Sequence, residues 1–319
     1  MMNGRRQFIL NDDYPQSDIP NDQEEFPETV ITDCHFYQGR IFEEDGSPCT
    51  DENKVSVFPL VVPYCDIDAE ETNTRIYSET ANREPADYAY WIKRQIREAI
   101  YGGVFEGELL RRLPGTDALV RWARTGTNVA IKRLDYDRVI GEGERSAERP
   151  MEEIKAMQYL QRHIAGTNDG LQEELSSEDV RLRAQQGIND HNVMTSIDIL
   201  TDSIHLYVIM PFCDGDELFD VVEKTRFSET EARHWFSQIL NALETLQDAG
   251  ICHRDISLEN VMTSGDQLAI VIDFGMCLKI PYVYDEQGNR QRCLIRPDRA
   301  CGKVRFVKVC IHVMIAQSN

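Results

Sequence analysis

Positive charge is scarce in this 319-residue chain: 34 lysines and arginines stand against 55 aspartates and glutamates, a formal net charge of −21. Nucleic acids and anionic membrane surfaces are bound through basic patches, so the deficit argues against either as a partner. It is also uneven. Residues 1–85 hold 19 acidic and 6 basic side chains, which places −13 of the −21 there. No basic stretch leads into an apolar run at the N-terminus, so no signal peptide is expected. The longest apolar run, residues 55–65, is broken by Pro59 and Pro63 and is too short to span a bilayer. The nine cysteines are odd in number and include no C-x-x-C pair. That disfavours a disulfide framework and favours reduced thiols, hence a cytoplasmic setting, with the nucleus also compatible. Internal repeats and low-complexity tracts are missing as well.

What is present falls into blocks. Residues 1–52 are acidic, dotted with proline and without period, and read as disordered or loosely docked. Residues 55–62 fit either a short strand laid against a domain or an apolar stretch within a linker. Residues 90–107 read as a strand, a turn and a second strand. The alternative is an amphipathic helix over residues 85–100 carrying Tyr90, Ile92, Ile96 and Ile100. About a dozen residues of insertion follow Gly107, and then residues 127–134 read as a strand. Pro150 suits the first turn of a helix, in which Glu153, Met157 and Leu160 fall on one face. Residues 165–190 are polar and acidic and read as a surface insertion, and residues 205–210 as a buried strand. Ser228-Glu229-Thr230-Glu231 is a capping box. It opens a helix with the apolar stripe Ala232, Trp235, Phe236, Ile239, Leu243 and Leu246, which Gly250 is placed to end.

The chemistry concentrates after that helix. His253-Arg254-Asp255-Ile256-Ser257-Leu258-Glu259-Asn260 has the form H-R-D-x-x-x-x-N, and Asp273-Phe274-Gly275 follows. Between them Val261-Met262 and residues 268–272 read as a small hairpin, which brings an acid, an amide and a second acid to one place. Upstream stands Val129-Ala130-Ile131-Lys132. These motifs in this order resemble the eukaryotic-type protein kinase family, serine/threonine-like. The resemblance implies an α+β, two-lobed fold: a small β-rich N-lobe with one key helix, and a mostly helical C-lobe that is incomplete here. The domain would span residues 87–306, with the N-lobe at 87–210, the hinge at Pro211-Phe212-Cys213 and a partial C-lobe at 214–306. Residues 1–86 would be an acidic, largely disordered segment and residues 307–319 a tail outside the family pattern.

The resemblance also implies ATP and Mg²⁺ as cofactors, a protein substrate, and specific roles. Lys132 would meet the α- and β-phosphates, tethered by Glu153, with Glu152 as its rival. Asp273 and Asn260 would hold Mg²⁺, and Asp255 would orient the substrate hydroxyl. Adenine would lie between Val104 and Ala130 above and Met262 below, with Met210 as gatekeeper and the backbone of residues 211–213, including Cys213, at the purine edge. Glu217, or Asp216 beside it, would meet the ribose. His253 and Phe274 would pack with Met157 as a spine. The family's phosphate loop, I-G-x-G-x-[FY]-G-x-V-[FY]-x-G, lies over residues 96–107, with Ile96, Gly102 and Val104 matching and Arg97 and Ala99 replacing two glycines. A rival register uses residues 115–120.

Two further departures matter. Ser257 stands where most serine/threonine kinases carry a γ-phosphate lysine, and Lys303 stands where they carry the threonine of G-T-x-x-Y. Either the two roles are exchanged and Lys303 is the catalytic cation, or Lys303 is a surface residue. After Phe306 the A-P-E motif and later helices have no counterpart, as expected of a truncated or altered reading frame. The stripe of the Ser228 helix would then be an exposed apolar face that invites a partner. No Ser or Thr lies between Met276 and Gly302. Loop activation would therefore rest on Tyr282 or Tyr284, or directly on Asp285 and Glu286. The alternative function is a non-catalytic kinase-like module that binds nucleotide or protein.

Overall fold

A computed structural model describes residues 25–51, 54–55, 58–65, 84–114, 120–142, 149–166, 177–265, 267–280, 282–284, 287 and 290–292. The N-terminal part runs β1 (Thr32–Phe42), β2 (Thr50–Asp51), β3 (Lys54–Val55), β4 (Phe58–Cys65), β5 (Glu84–Pro85), β6 (Tyr88–Ala99), β7 (Gly102–Leu113) and β8 (Arg121–Asp135). Helices α1 (Tyr136–Glu142), α2 (Pro150–Ile164) and α3 (Ser177–His191) follow, then β9 (Asp198–Thr201) and β10 (His205–Pro211). The C-terminal part holds α4 (Leu218–Lys224), α5 (Glu229–Ala249), β11 (Ile251–Cys252), the 3₁₀ turn Leu258–Asn260, β12 (Val261–Thr263), β13 (Ala269–Val271), β14 (Leu278–Lys279), β15 (Tyr282–Tyr284) and β16 (Arg290–Arg292). A strand-rich part thus precedes a helix-rich one, an α+β fold.

The main sheet has the order β1-β9-β10-β8-β7-β6-β4-β5, with β1 also paired to β8 and β4. Strand β1 therefore touches three neighbours in turn: β9 through residues 32–33, β4 through 34–39 and β8 through 40–42. The circuit β1-β4-β6-β7-β8 closes on itself. Its interior holds alternate residues of each strand: Phe58, Leu60 and Val62 of β4, Ala89 of β6, Leu110 of β7, Trp122 of β8 and Ile41 of β1. Period-two alternation with one face packed inward is what a strand offers such a closed layer.

Three expectations are corrected here. The first 86 residues are not a disordered arm as a whole, because β1 and β4 are integral to the sheet and bury Cys34, Ile41, Leu60, Val61 and Val62. Residues 55–62 fall mainly in β4, which selects the strand over the linker. The insertion after Gly107 is an extension of two strands. β7 runs on to Leu113 and β8 starts at Arg121, so the added residues build the closed circuit with β1 and β4. The polar insertion at 165–190 contains α3, whose Ile188 is 3% exposed and joins the main core. Among the described residues three helices, not one, accompany the strands of the N-terminal part.

Local signals act as expected elsewhere. Residues 90–107 form strand, turn and strand, with Ala99 opposite Gly102. The Ser228 hydroxyl accepts from the Glu231 N–H at 3.3 Å while the Glu231 carboxylate accepts from the Ser228 N–H at 2.7 Å. Gly250 ends α5 in the left-handed region at φ +73, which costs glycine least. Helix α5 buries only its C-terminal half, through Ala242, Leu246 and Ala249. Phe236 is 48% exposed, so the N-terminal part of the apolar stripe faces outward. No described helix is long and apolar enough to cross a membrane.

A buried charge cluster sits where the two halves of the sheet meet. Glu108 on β7 is fully buried and accepts from Lys93 Nζ (2.8 Å), Arg124 Nη2 (2.8 Å) and the Gly126 N–H (3.2 Å). Both cations also lie against the Trp91 ring, at 5.1 Å for Lys93 and 5.8 Å for Arg124. Burial pushes the Glu108 carboxyl upward, but the Arg124 and Lys93 contacts outweigh it and hold the group below the usual glutamate range.

Candidate functional site

The cleft between the two parts is built from the sheet inward. Cross-strand register aligns Arg97 of β6, Val104 of β7 and Lys132 of β8, so these three stand in one row. Directly paired residues present their side chains to the same face. The neighbouring row pairs Glu106, Ala130 and Met210. Val104, Ala130, Met210, Cys213 and Met262 are all half-buried, as a cleft lining is. Ile96 is 48% exposed on β6, and Gly102 is exposed at the turn. A Cβ on Gly102 would collide with the Arg133 carbonyl, so glycine is required there by close backbone approach.

Lys132 meets its tether. Its Nζ lies 2.7 and 2.6 Å from the two carboxylate oxygens of Glu153. Of the two rival acids, Glu153 is the buried one; Glu152 pairs instead with Lys155 at 2.9 Å. Pro150 sets the first turn of α2 and places both acids where the helix dipole favours them. The Arg149 cap makes no side-chain bond, but its N–H donates to the Gly275 carbonyl at 2.9 Å. The amine-bearing strand, the helix and the Asp273-Phe274-Gly275 segment are thereby linked.

On the opposite wall the β12–β13 hairpin does what its spacing suggested. The Ile272 N–H donates to the Asn260 carbonyl at 3.0 Å, which sets Asp273 beside Asn260. The Asn260 amide donates to the Asp255 carbonyl (2.8 Å) and to its carboxylate (2.9 Å). With the Asn260 Nδ2 so engaged, its Oδ1 is left as an acceptor. Asp273 adopts φ +65 and Arg254 φ +70, unusual for non-glycine residues and typical of strain kept at functional turns. The Asp273 carboxylate accepts from the Gly275 N–H at 3.1 Å.

His253 acts as a brace. It is 3% exposed and its ring centre lies 5.2 Å from that of Phe274, which is fully buried. Burial lowers the imidazole pKa, so the ring is neutral at physiological pH. Its Nε2 lies 3.0 Å from the Ile272 carbonyl, and its Nδ1 accepts from the Asp255 N–H at 3.3 Å. We assign the Nε2–H tautomer, the one neutral form that satisfies both contacts. Met157 and Phe274 lie in the same core cluster.

Two residues behave in ways the sequence did not show. Arg97 reaches across the cleft to form an ion pair with Glu217, the acid expected to meet the ribose; Asp216 pairs instead with Lys224 at 2.6 Å. Substitution of a loop glycine by a long basic side chain was the visible signal, but its partner was not. Ser257 is 2% exposed, and its hydroxyl has no hydrogen-bond partner among the described residues. Lys303, residues 307–319 and most of the rival 115–120 register lie outside the described residues, as do the side chains of Tyr282 and Tyr284.

Among the described residues no group of three His, Cys, Asp or Glu side chains converges as a self-sufficient metal cage. Asp273 and the Asn260 Oδ1 offer hard oxygens instead. Such a partial set suits Mg²⁺, which takes one or two protein ligands and completes its shell with water and phosphate.

Residues 168–287 match the protein kinase domain family. The maternal embryonic leucine zipper kinase of Danio rerio is 32% identical over 110 residues, covering 34% of this chain and 16% of that protein. The hormonally up-regulated neu tumor-associated kinase of Homo sapiens is 38% identical over 93 residues, covering 29% and 13%. The CBL-interacting serine/threonine-protein kinase 9 of Arabidopsis thaliana is 27% identical over 166 residues, covering 51% and 30%. The alignments thus span less than a third of the length of each of these relatives.

Proposed function

We propose, for a chain that belongs to the eukaryotic-type protein kinases, that it transfers the γ-phosphoryl group of ATP to a serine or threonine hydroxyl of a protein. The observation that carries this reading is the joint geometry of the Lys132–Glu153 pair and the Asp255–Asn260–Asp273 wall. A chain with no need of phosphate chemistry has no evident reason to hold an amine and three polar groups on opposite sides of one cleft.

In this reading Lys132, fixed by Glu153, neutralises charge on the α- and β-phosphates. Asp255, fixed by Asn260 and by the His253 brace, accepts the proton of the substrate hydroxyl and points its oxygen in line. Asp273 and Asn260 would hold Mg²⁺, which offsets phosphate charge when bound. Positioning and electrostatics supply most of the rate in phosphoryl transfer, and Lys132, Asp255, Asn260 and Asp273 are each held by an ion pair or hydrogen bond. Ser257 leaves the catalytic loop without the usual cation, so Lys303 remains the candidate for that charge. The odd number of cysteines without a C-x-x-C pair supports a cytoplasmic or nuclear setting for this activity, and the outward face of α5 around Phe236 suits a protein partner.

The test is a thermal-shift titration with ATP and Mg²⁺, followed by transfer of labelled phosphate to a general protein acceptor. Mg-ATP should raise the melting temperature, and at 100 times Kd the stabilisation is about 2.7 kcal/mol. Asp273→Ala should remove the Mg²⁺-dependent part. A second reading, binding without transfer, is favoured by Arg97 occupying Glu217 and by the cation missing at Ser257. A shift with no transferred phosphate would support it over the first.

Arg97→Gly should lower the ATP KM by about threefold to tenfold, because it frees Glu217 for the ribose at the cost of one half-exposed ion pair. A KM that rises instead would make Arg97 a phosphate ligand.

A further inference from the structure

Helix α2 is tied down at several places. The N–H of its cap residue, Arg149, donates to the Gly275 carbonyl, and its inner face grips Lys132. Farther along, the Tyr159 hydroxyl donates to the Ala249 carbonyl at 3.1 Å, and Lys279 Nζ lies 5.1 Å from the centre of the Tyr159 ring. Those ties run to the Asp273-Phe274-Gly275 segment, to β8, to the end of α5 and to β14. One more runs to the segment before β1. The Gln158 side chain bonds the Val30 backbone in both directions: Nε2 donates to the carbonyl at 3.0 Å, and Oε1 accepts from the N–H at 2.9 Å. Four residues earlier, Phe26 is 5% exposed and sits in one cluster with Ile154, Met157 and Leu160. Its ring centre is 5.7 Å from that of Tyr159, and Ile31 packs against the same cluster.

We propose that residues 26–31 are a built-in clamp that holds α2 where Glu153 reaches Lys132. Gln158 and Phe26 are then positioning residues for the transfer reaction, and the inference rests on the kinase reading above. A primary amide carries a donor and an acceptor side by side, as a peptide unit does, so Gln158 captures a passing backbone as a neighbouring strand would. Position 30 therefore tolerates any non-proline residue, whereas position 158 requires an amide of that length. The clamp matters because the N-cap of α2 makes no side-chain bond, so the helix is positioned by what it touches. A carboxylate–ammonium contact of 2.6 Å weakens with the first ångström of helix displacement.

The experiment uses the full chain without nucleotide. The Lys132 amine is acylated with an N-hydroxysuccinimide ester, and its rate of modification is read by mass spectrometry. Gln158→Ala should raise that rate, and the ATP KM with it, by roughly the threefold to tenfold that two ordinary hydrogen bonds hold in place, with kcat changed less. Lys155→Ala, on the same helix but away from the segment, should leave both unchanged. Phe26→Ala should act in the same direction. Since it also leaves a cavity in the core, Gln158→Ala at an unchanged melting temperature is the deciding variant. A Lys132 rate equal to that of the unaltered chain in Gln158→Ala overturns the clamp. If the unaltered chain shows no response to Mg-ATP, the kinase reading fails instead, and the acylation rates still decide the clamp.

Discussion

Replacing Asp255 by alanine is expected to lower kcat by about 10²- to 10⁴-fold, the range that a positioned proton acceptor supplies, while Mg-ATP affinity changes by less than about threefold. The asymmetry follows from what the residue touches. Asp255 meets Asn260 through its carboxylate and His253 through its N–H, and it makes no bond to Lys132 or Asp273 among those described. The substitution therefore removes the group that handles the substrate hydroxyl and leaves the nucleotide-facing groups in place. Single-turnover phosphate transfer and equilibrium nucleotide binding, measured on the same preparation, check the two halves of the statement. Loss of both together would move Asp255 from the chemistry to the architecture of the loop.

Glu108→Ala should be the most destabilising single change near the sheet junction, by about 3–5 kcal/mol, because it strands two cations around a buried vacancy. Total stability of a domain is only about 5–15 kcal/mol, so the variant will sit close to unfolding at body temperature. Chemical denaturation followed by intrinsic fluorescence reads this directly, since Trp91 lies under both Lys93 and Arg124. The pH dependence has a definite sign. The folded carboxyl is held below its ordinary value, so its contribution is fully present above the unfolded glutamate pKa of about 4.3. It is lost as pH falls from there through the folded value. An alanine variant should accordingly lose less stability on acidification than the unaltered chain does. An equal loss would show that Glu108 is not the titrating group.

The Asp255–Asn260–Asp273 wall was legible because its geometry is local. A loop, a hairpin of fixed length and an acid at its end can be read from spacing alone, and Asn260 meets Asp255 and Ile272 as that spacing requires. The capping box of α5 is local in the same sense. The closed strand circuit was not legible. Its decisive pairings join residues 40–42 to 121–123 and residues 34–39 to 58–63. Hydrophobic alternation shows that a strand has an inward face but not which distant strand closes over it. Acidic composition pointed the wrong way because the charge of the first 85 residues lies mostly outside β1 and β4, which are apolar where they pack. Helix α3 was hidden for a related reason: its few apolar residues, Ile188 foremost, look incidental until α2 and β10 stand beside them. The Arg97–Glu217 pair spans 120 residues, beyond any local pattern.

The hoop of strands also governs how the phosphate-loop hairpin can move. From Tyr88 to Ile92, β6 is stitched to β7, and at Tyr90 and Trp91 also to β4. Beyond Ile92 its pairing slips twice, between Ile92 and Arg94 and between Gln95 and Arg97. At each register shift the ladder is interrupted, as at a bulge, and a ribbon bends most easily there. The hairpin tip is thus a cantilever on a stiff collar, with its elbow at residues 92–97 and Arg97 at the moving end. Whatever swings the tip carries the latch to Glu217 with it, so opening the cleft and releasing that carboxylate are one mechanical event.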